Sequence, residues 1–196
     1  IDNMIKFDKP YSLSKLGYPA TLFQIYIDAC NVCDVMPAMG SFTNSNYIVK
    51  EQPDDDMTFR DIIGYIAELS GSFARMNRAG ALEFAWYTDS GVTLTSANRF
   101  NFIPRDDVVQ IDTVTATVDD VTYIAGEPET FFYGAQPYEH MMLGDYSIDL
   151  TENPLLQSNH PQILSTIYNK IKSTSFYPYE SSWQGNPAIQ AGDMLV

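Results

Sequence analysis

The chain has 196 residues, enough for one large domain or two small ones, and 45% of them are hydrophobic, so it can bury a real core. Its 25 acidic residues against 11 basic ones give a formal charge of -14, which repels nucleic acid over most of the surface. No run of about 18 apolar residues exists to span a bilayer, and the first residues carry no basic-then-apolar secretion signal.

The first part reads as strand, helix, strand, helix, hairpin. IDNMIKFDKPYSL is a short alternating lead into structure. In TLFQIYIDACNVCDV, Thr21 with Gln24 forms a capping box, and Leu22, Ile25, Tyr26, Ala29, Val32 and Cys33 make a helical stripe. Both cysteines, Cys30 and Cys33, sit near the C-terminal end of that helix, where the dipole disfavours a thiolate. Zinc would need two more ligands, and His140 and His160 are isolated from each other, so the thiols are expected to be buried and structural.

GSFTNSNYIVKEQPDDD is strand-like and ends in Asp54, Asp55 and Asp56. These precede a second helix, where negative charge meets the positive end of the dipole; the pattern lacks the alternation, glycine and distal glutamate of a calcium loop. Thr58 and Asp61 resemble a capping box, Phe59, Ile62, Ile63, Ile66, Ala67 and Leu69 or Ser70 form one apolar face, and Gly71 stops the helix. SFARMN and ALEFAWY then flank RAG as a hairpin, with Leu82, Phe84 and Trp86 on one face.

From about Thr88 to Arg105 the chain turns polar, which marks the passage into a second domain. VVQIDTVTATVDDVTYIAG alternates as an antiparallel strand pair, GEPETFFYGAQPYEHMML reads as a loop, and GDYSIDL repeats the alternation. HPQILSTIYNKIKS is a helix with Pro161 in its first turn and a stripe of Ile163, Leu164, Ile167, Tyr168 and Ile171; TSFYPYESSW resumes an extended chain. The final AGDMLV alternates like a strand cut in mid-pattern, which points to a segment of a longer protein. The expected fold is α+β: a helix-plus-hairpin domain over 1–90, then an antiparallel, barrel-like β domain over 91–196 with one inserted helix near 160–172.

Chemistry is harder to find. The sequence has no G-x-S-x-G, H-E-x-x-H, phosphate loop or dinucleotide fingerprint. Glu68 and Glu83 are the least trivial candidates for a hydrolytic carboxylate pair, although a solvated helix face and a strand's polar side account for them equally well. The reading is therefore no enzyme, with no catalytic, cofactor-binding or metal-binding residue assigned and no cofactor. Thirteen Tyr, eleven Phe and two Trp crowd partly into TFFYGAQPY and FYPYESSW, which leaves open a host-surface or carbohydrate-binding module that uses loop aromatics such as Tyr177 and Trp183.

FRDIIGYIAELSGSFARMNRAGALEF, followed by YSIDLTENPLL, YPYE and WQGNPAIQAGDMLV, resembles the tail hub proteins of long-tailed phages and prophages, including the hub region of tail-associated lysins and the baseplate hubs of contractile tails. The resemblance runs from about Tyr18 onward and is strongest over Ile62–Phe84, Asn153–Leu156 and Gly185–Asp193. It implies a structural hub that bridges the tail tube to the host-recognition or wall-degrading apparatus in the virion tail. Its implied partners are copies of itself, as a homotrimer or larger ring, and other tail proteins, with no nucleic acid and no membrane insertion. Any enzymatic activity would belong to separate C-terminal domains.

Overall fold

The computed structural model describes residues 3–54, 56–93, 95, 97, 99–104, 109–126, 131–133, 136–138, 146–176, 178–183, 185–186, 189 and 191–195. It opens with two short 3-10 helices, Asn3–Asp8 and Tyr11–Leu13, where a strand lead was expected. The reason is spacing: Met4, Phe7 and Tyr11 recur at three and four, so one face of a coil buries them, and Phe7 and Tyr11 are fully enclosed.

Strand β1 (Ala20–Thr21) leads into α1 (Leu22–Cys33). Thr21 Oγ1 accepts from Gln24 N at 3.2 Å while Gln24 Oε1 accepts from Thr21 N at 2.8 Å, the reciprocal cap expected there. Helix α1 buries Leu22, Ile25, Tyr26, Ala29, Cys30 and Cys33, and Val32 is half-buried. After β2 (Met36–Pro37) comes β3 (Ile48–Val49), which pairs antiparallel with β1.

Helix α2 (Phe59–Leu69) is capped by Thr58, whose hydroxyl accepts from Asp61 N while the Asp61 carboxylate accepts from Thr58 N. Every residue of its expected apolar face is buried, Ser70 included. Gly71, at φ +55, turns the chain out of the helix in the left-handed region that glycine enters without strain. Strands β4 (Phe73–Met76) and β5 (Ala81–Ala85) form the expected hairpin, and β2 joins β5 in parallel to give the order β2-β5-β4. The Tyr26 hydroxyl donates to the Leu82 carbonyl at 2.7 Å and so ties α1 to this sheet.

Two strands lie within the described residues of the polar passage after residue 87. They are β6 (Thr88–Asp89) and β7 (Arg99–Pro104), whose pairing partners lie some eighty to a hundred residues away at the other end of the chain. Next come β8 (Val109–Val118) and β9 (Val121–Gly126), an antiparallel pair turned by Asp119 and Asp120, both at positive φ (51 and 62) as a two-residue hairpin requires. The stretch read as a loop contains a small hairpin, β10 (Phe131–Tyr133) with β11 (Gln136–Tyr138).

Strand β12 (Tyr146–Asp149) runs parallel to β8, which also takes β13 (Ser175–Phe176) antiparallel after α3 (His160–Ile171). Strand β14 (Tyr179–Trp183) pairs with β7, and β15 (Asp193–Met194) with β6. The α+β class is as expected. Among the described residues the sheets are mixed and open, and none closes into a barrel, because β12 pairs with β8 alone and no further strand carries the circle round.

One hydrophobic cluster runs through the fold. It takes Leu22, Ile25, Ile62, Ile66 and Leu82 from the first ninety residues and Val114, Leu150, Leu155, Leu164 and Ile167 from the rest. Each such side chain contributes about 1.5–3 kcal/mol when fully buried.

Candidate functional site

Among the described residues a polar seam forms where residues 150–172 lie on α2 and on the loop before it. Asn153 begins a turn in which its Oδ1 accepts from Leu155 N at 3.1 Å, while its Nδ2 donates to the Tyr65 carbonyl at 3.1 Å and to Glu68 Oε2 at 2.8 Å. Gln157 Oε1 accepts from the backbone N–H groups of Lys50 and Glu51 at 2.8 and 2.9 Å, and its Nε2 donates to the Glu51 carbonyl at 3.0 Å. The Tyr47 hydroxyl accepts from Gln157 N and Ser158 N at 2.7 and 2.9 Å.

At the far end of α2, the Lys170 ammonium donates to the Ser70 carbonyl at 2.8 Å and to Ser72 Oγ at 2.5 Å. A cation there meets the negative end of the helix dipole, although burial draws the lysine below its ordinary pKa. Trp86 Nε1 donates to Thr174 Oγ1 at 2.9 Å and extends the seam to the hairpin. These are positioning contacts: side chains of one segment hold the backbone and side chains of another.

The two carboxylates singled out from sequence are engaged separately. Glu68 belongs to the seam; burial raises its pKa above the ordinary carboxylate value, and the Asn153 hydrogen bond offsets part of that rise. Glu83 on β5 accepts from Arg75 Nε at 2.7 Å and from Asn77 Nδ2 at 3.3 Å. Arg75 in turn donates to the Ala191 carbonyl and stands 3.9 Å from Asp193, so Glu83 is part of a brace between the hairpin and the end of the described chain.

Cys30 and Cys33 are free thiols packed inside α1's apolar face. Burial, with Cys33 beside it, pushes the Cys30 thiol up to about 12, and burial raises Cys33 too, so both stay protonated at neutral pH. His160 opens α3 and stacks on Tyr123, ring centroids 4.9 Å apart, with its Nε2 buried and without a hydrogen-bond partner among the described residues. Asp54 and Asp56 are exposed ahead of α2. Asp55, His140 and Tyr177 lie outside the described residues, as do the side chains of the TFFYGAQPY stretch.

Among the described residues no group of three or more histidine, cysteine or carboxylate side chains is placed to hold a metal, and no helix is long and apolar enough to cross a membrane. An open cleft of about 610 Å³ lies between β9 and α3, lined by Ile124, Gly126, Pro161, Ser165, Tyr168 and neighbours. Among the described residues its lining is apolar or neutral polar.

The seam residues Asn153, Gln157, Tyr47 and Lys170 were not singled out as functional by sequence reasoning. One signal was available: Asn153-Pro154 is a turn-initiating dipeptide, and its asparagine does make the local bond to Leu155 N. Its partner on α2, 88 positions earlier, left no trace in the sequence.

No protein-family model and no curated protein matches the chain. Among solved structures, it is similar to the 43 kDa tail protein of prophage MuSo2 from Shewanella oneidensis, with a TM-score of 0.50 and 13% sequence identity. The match covers 98% of this chain and 56% of that one, so the chain spans little more than half the length of that tail protein. At that identity the likeness is one of fold, and it extends along nearly the whole chain.

Proposed function

We propose that the protein is a non-enzymatic structural component of a phage or prophage tail tip, a hub or baseplate element that links the tail tube to the host-recognition or wall-degrading apparatus. The observation that carries this reading is the fold shared along 98% of the chain with a prophage tail protein. The seam supports it, because its polar side chains are spent on fixing backbone segments against one another. In this reading the chain works in the virion tail, beside copies of itself in a homotrimer or larger ring and beside other tail proteins. The division into units 1–90 and 91–196 belongs to the same proposal, and limited proteolysis that cuts first near residues 91–98 would support it.

The test is to tag the chain in a host that produces the phage or prophage particle and to label purified tails for electron microscopy. Label at the tail tip is the expected result. Particles without the chain, or peptidoglycan hydrolysis by the chain alone, would overturn the reading. Glycan-array binding lost on Tyr177→Ala or Trp183→Ala would move it to a host-surface binding module.

A further inference from the structure

Residues 191–194 cross the outer face of the β4–β5 hairpin. Alternation along the two strands sends Ala74, Met76, Leu82 and Phe84 toward the hydrophobic cluster and leaves Phe73, Arg75 and Glu83 on the opposite face. Gly192, at φ +92, lies against the tip of the Phe73 ring, where a Cβ would collide with Cζ and stand 2.9 Å from both Cε1 and Cε2. A residue with a side chain cannot seat there.

The segment is fastened by polar groups. The Gly192 and Met194 carbonyls accept from the Thr88 and Ser90 N–H groups at 3.2 and 3.1 Å, and Ser90 Oγ donates to the Met194 carbonyl at 2.6 Å. Arg75 divides its donors between two neighbours: Nε holds Glu83 at 2.7 Å on its own sheet, while Nη1 donates to the Ala191 carbonyl and stands 3.9 Å from Asp193. Residues 191–195 are exposed or half-buried, and none of them belongs to the hydrophobic cluster.

That distribution makes release inexpensive. Letting the segment go gives up hydrogen bonds and an ion pair near the surface, which water largely replaces, and uncovers none of the core. Arg75 keeps Glu83 throughout, so opening strands no unpaired cation on the sheet. A segment held in this way opens at a lower free energy than the packed elements beneath it. The glycine contact and the divided arginine still give the closed state one defined seat.

We infer that residues 191–194 form a strap that opens and recloses on the hairpin as a unit while the core stays folded. Arg75 is its latch, and the surface it covers is the Phe73 ring, which lies 5.6 Å from that of Tyr87. The device is built from the hairpin and the strap alone, so it stands or falls apart from the tail reading.

Native-state hydrogen exchange of the full chain, read residue by residue by NMR, tests it. The Thr88 and Ser90 amides, which bond to the strap, should be protected, but roughly a hundredfold or more below the Ile66 amide of α2, and through an opening that low urea does not promote. Gly192→Ala should lower protection at Thr88 and Ser90 by a further factor of roughly ten while leaving Ile66 and the thermal melt unchanged. If the added methyl shifts the melt, Asp193→Asn, which weakens the latch without adding bulk, is read for the same change.

Thr88 and Ser90 amides that exchange together with Ile66, with the same urea dependence, overturn the strap, since the segment would then belong to the cooperative fold. Absence of any protection at the two amides overturns it too, because the strap would not close. So does protection that neither variant lowers, which would remove Gly192 as the seat and Arg75 as the latch.

Discussion

The side-chain amide of Asn153 donates to the backbone carbonyl of Tyr65 across 88 residues of sequence, at 3.1 Å. The same side chain is only 5% exposed, and both ends of its amide are engaged. Asn153→Leu removes donor and acceptor together and leaves Leu155 N without its partner. We expect a loss of about 1–3 kcal/mol in urea unfolding. Asn153→Asp should cost more at neutral pH, since it sets a second carboxylate against Glu68, and part of that extra loss should return in acid.

Glu68 gives the fold a measurable pH dependence. Its pKa is raised in the folded state by burial, so between the ordinary value of 4.5 and the raised one the native state holds more protons than the unfolded state. The stability it contributes is fully present below pH 4.5 and is lost as pH rises through the folded value. Unfolding midpoints of Glu68→Gln measured across this window should lack that decline.

Leu69 is fully buried on the apolar face of α2. An unpaired carboxylate there has no compensating partner, so Leu69→Asp should lose more than about 4 kcal/mol and with it the cooperative transition. A circular-dichroism melt like the parent's would count against this assignment of the face.

Gly126 ends β9 at φ +100, where a Cβ would stand 2.3 Å from the Asp112 carbonyl oxygen and 2.8 Å from Cε2 of Tyr168. Backbone cannot yield there as a flexible side chain could. Gly126→Ala is expected to destabilise by more than about 2 kcal/mol in denaturant unfolding, whereas Gly64→Ala, which meets nothing within 4 Å, should not destabilise.

The helices were legible because their signals are local. Thr21 with Gln24 and Thr58 with Asp61 announce the starts of α1 and α2, and stripes at three and four residues name the buried faces. The N-terminal coil was misread because a dozen residues with three apolar anchors fit either period, and the packing of Phe7 and Tyr11 decides the matter. The parallel pairing of β12 with β8, and of β15 with β6, could not be read, since strand propensity says nothing about which distant segment will lie alongside. The seam was hidden for the same reason: Gln157 and Lys170 look like ordinary surface residues until the backbone they hold is in place.

Strand β8 takes partners on both sides: β9 follows immediately, but β12 arrives some thirty residues after β8 ends and β13 later still. During synthesis, the β2-β5-β4 sheet can pair from segments already emerged, while the shared hydrophobic cluster and the β8 sheet must wait until residue 176 has left the ribosome. In that interval the edges of a half-built sheet stand open beside other nascent chains. Nascent chains paused or truncated between β9 and β13 are therefore expected to be the aggregation-prone species, and the yield of folded protein should depend on how quickly that stretch is translated.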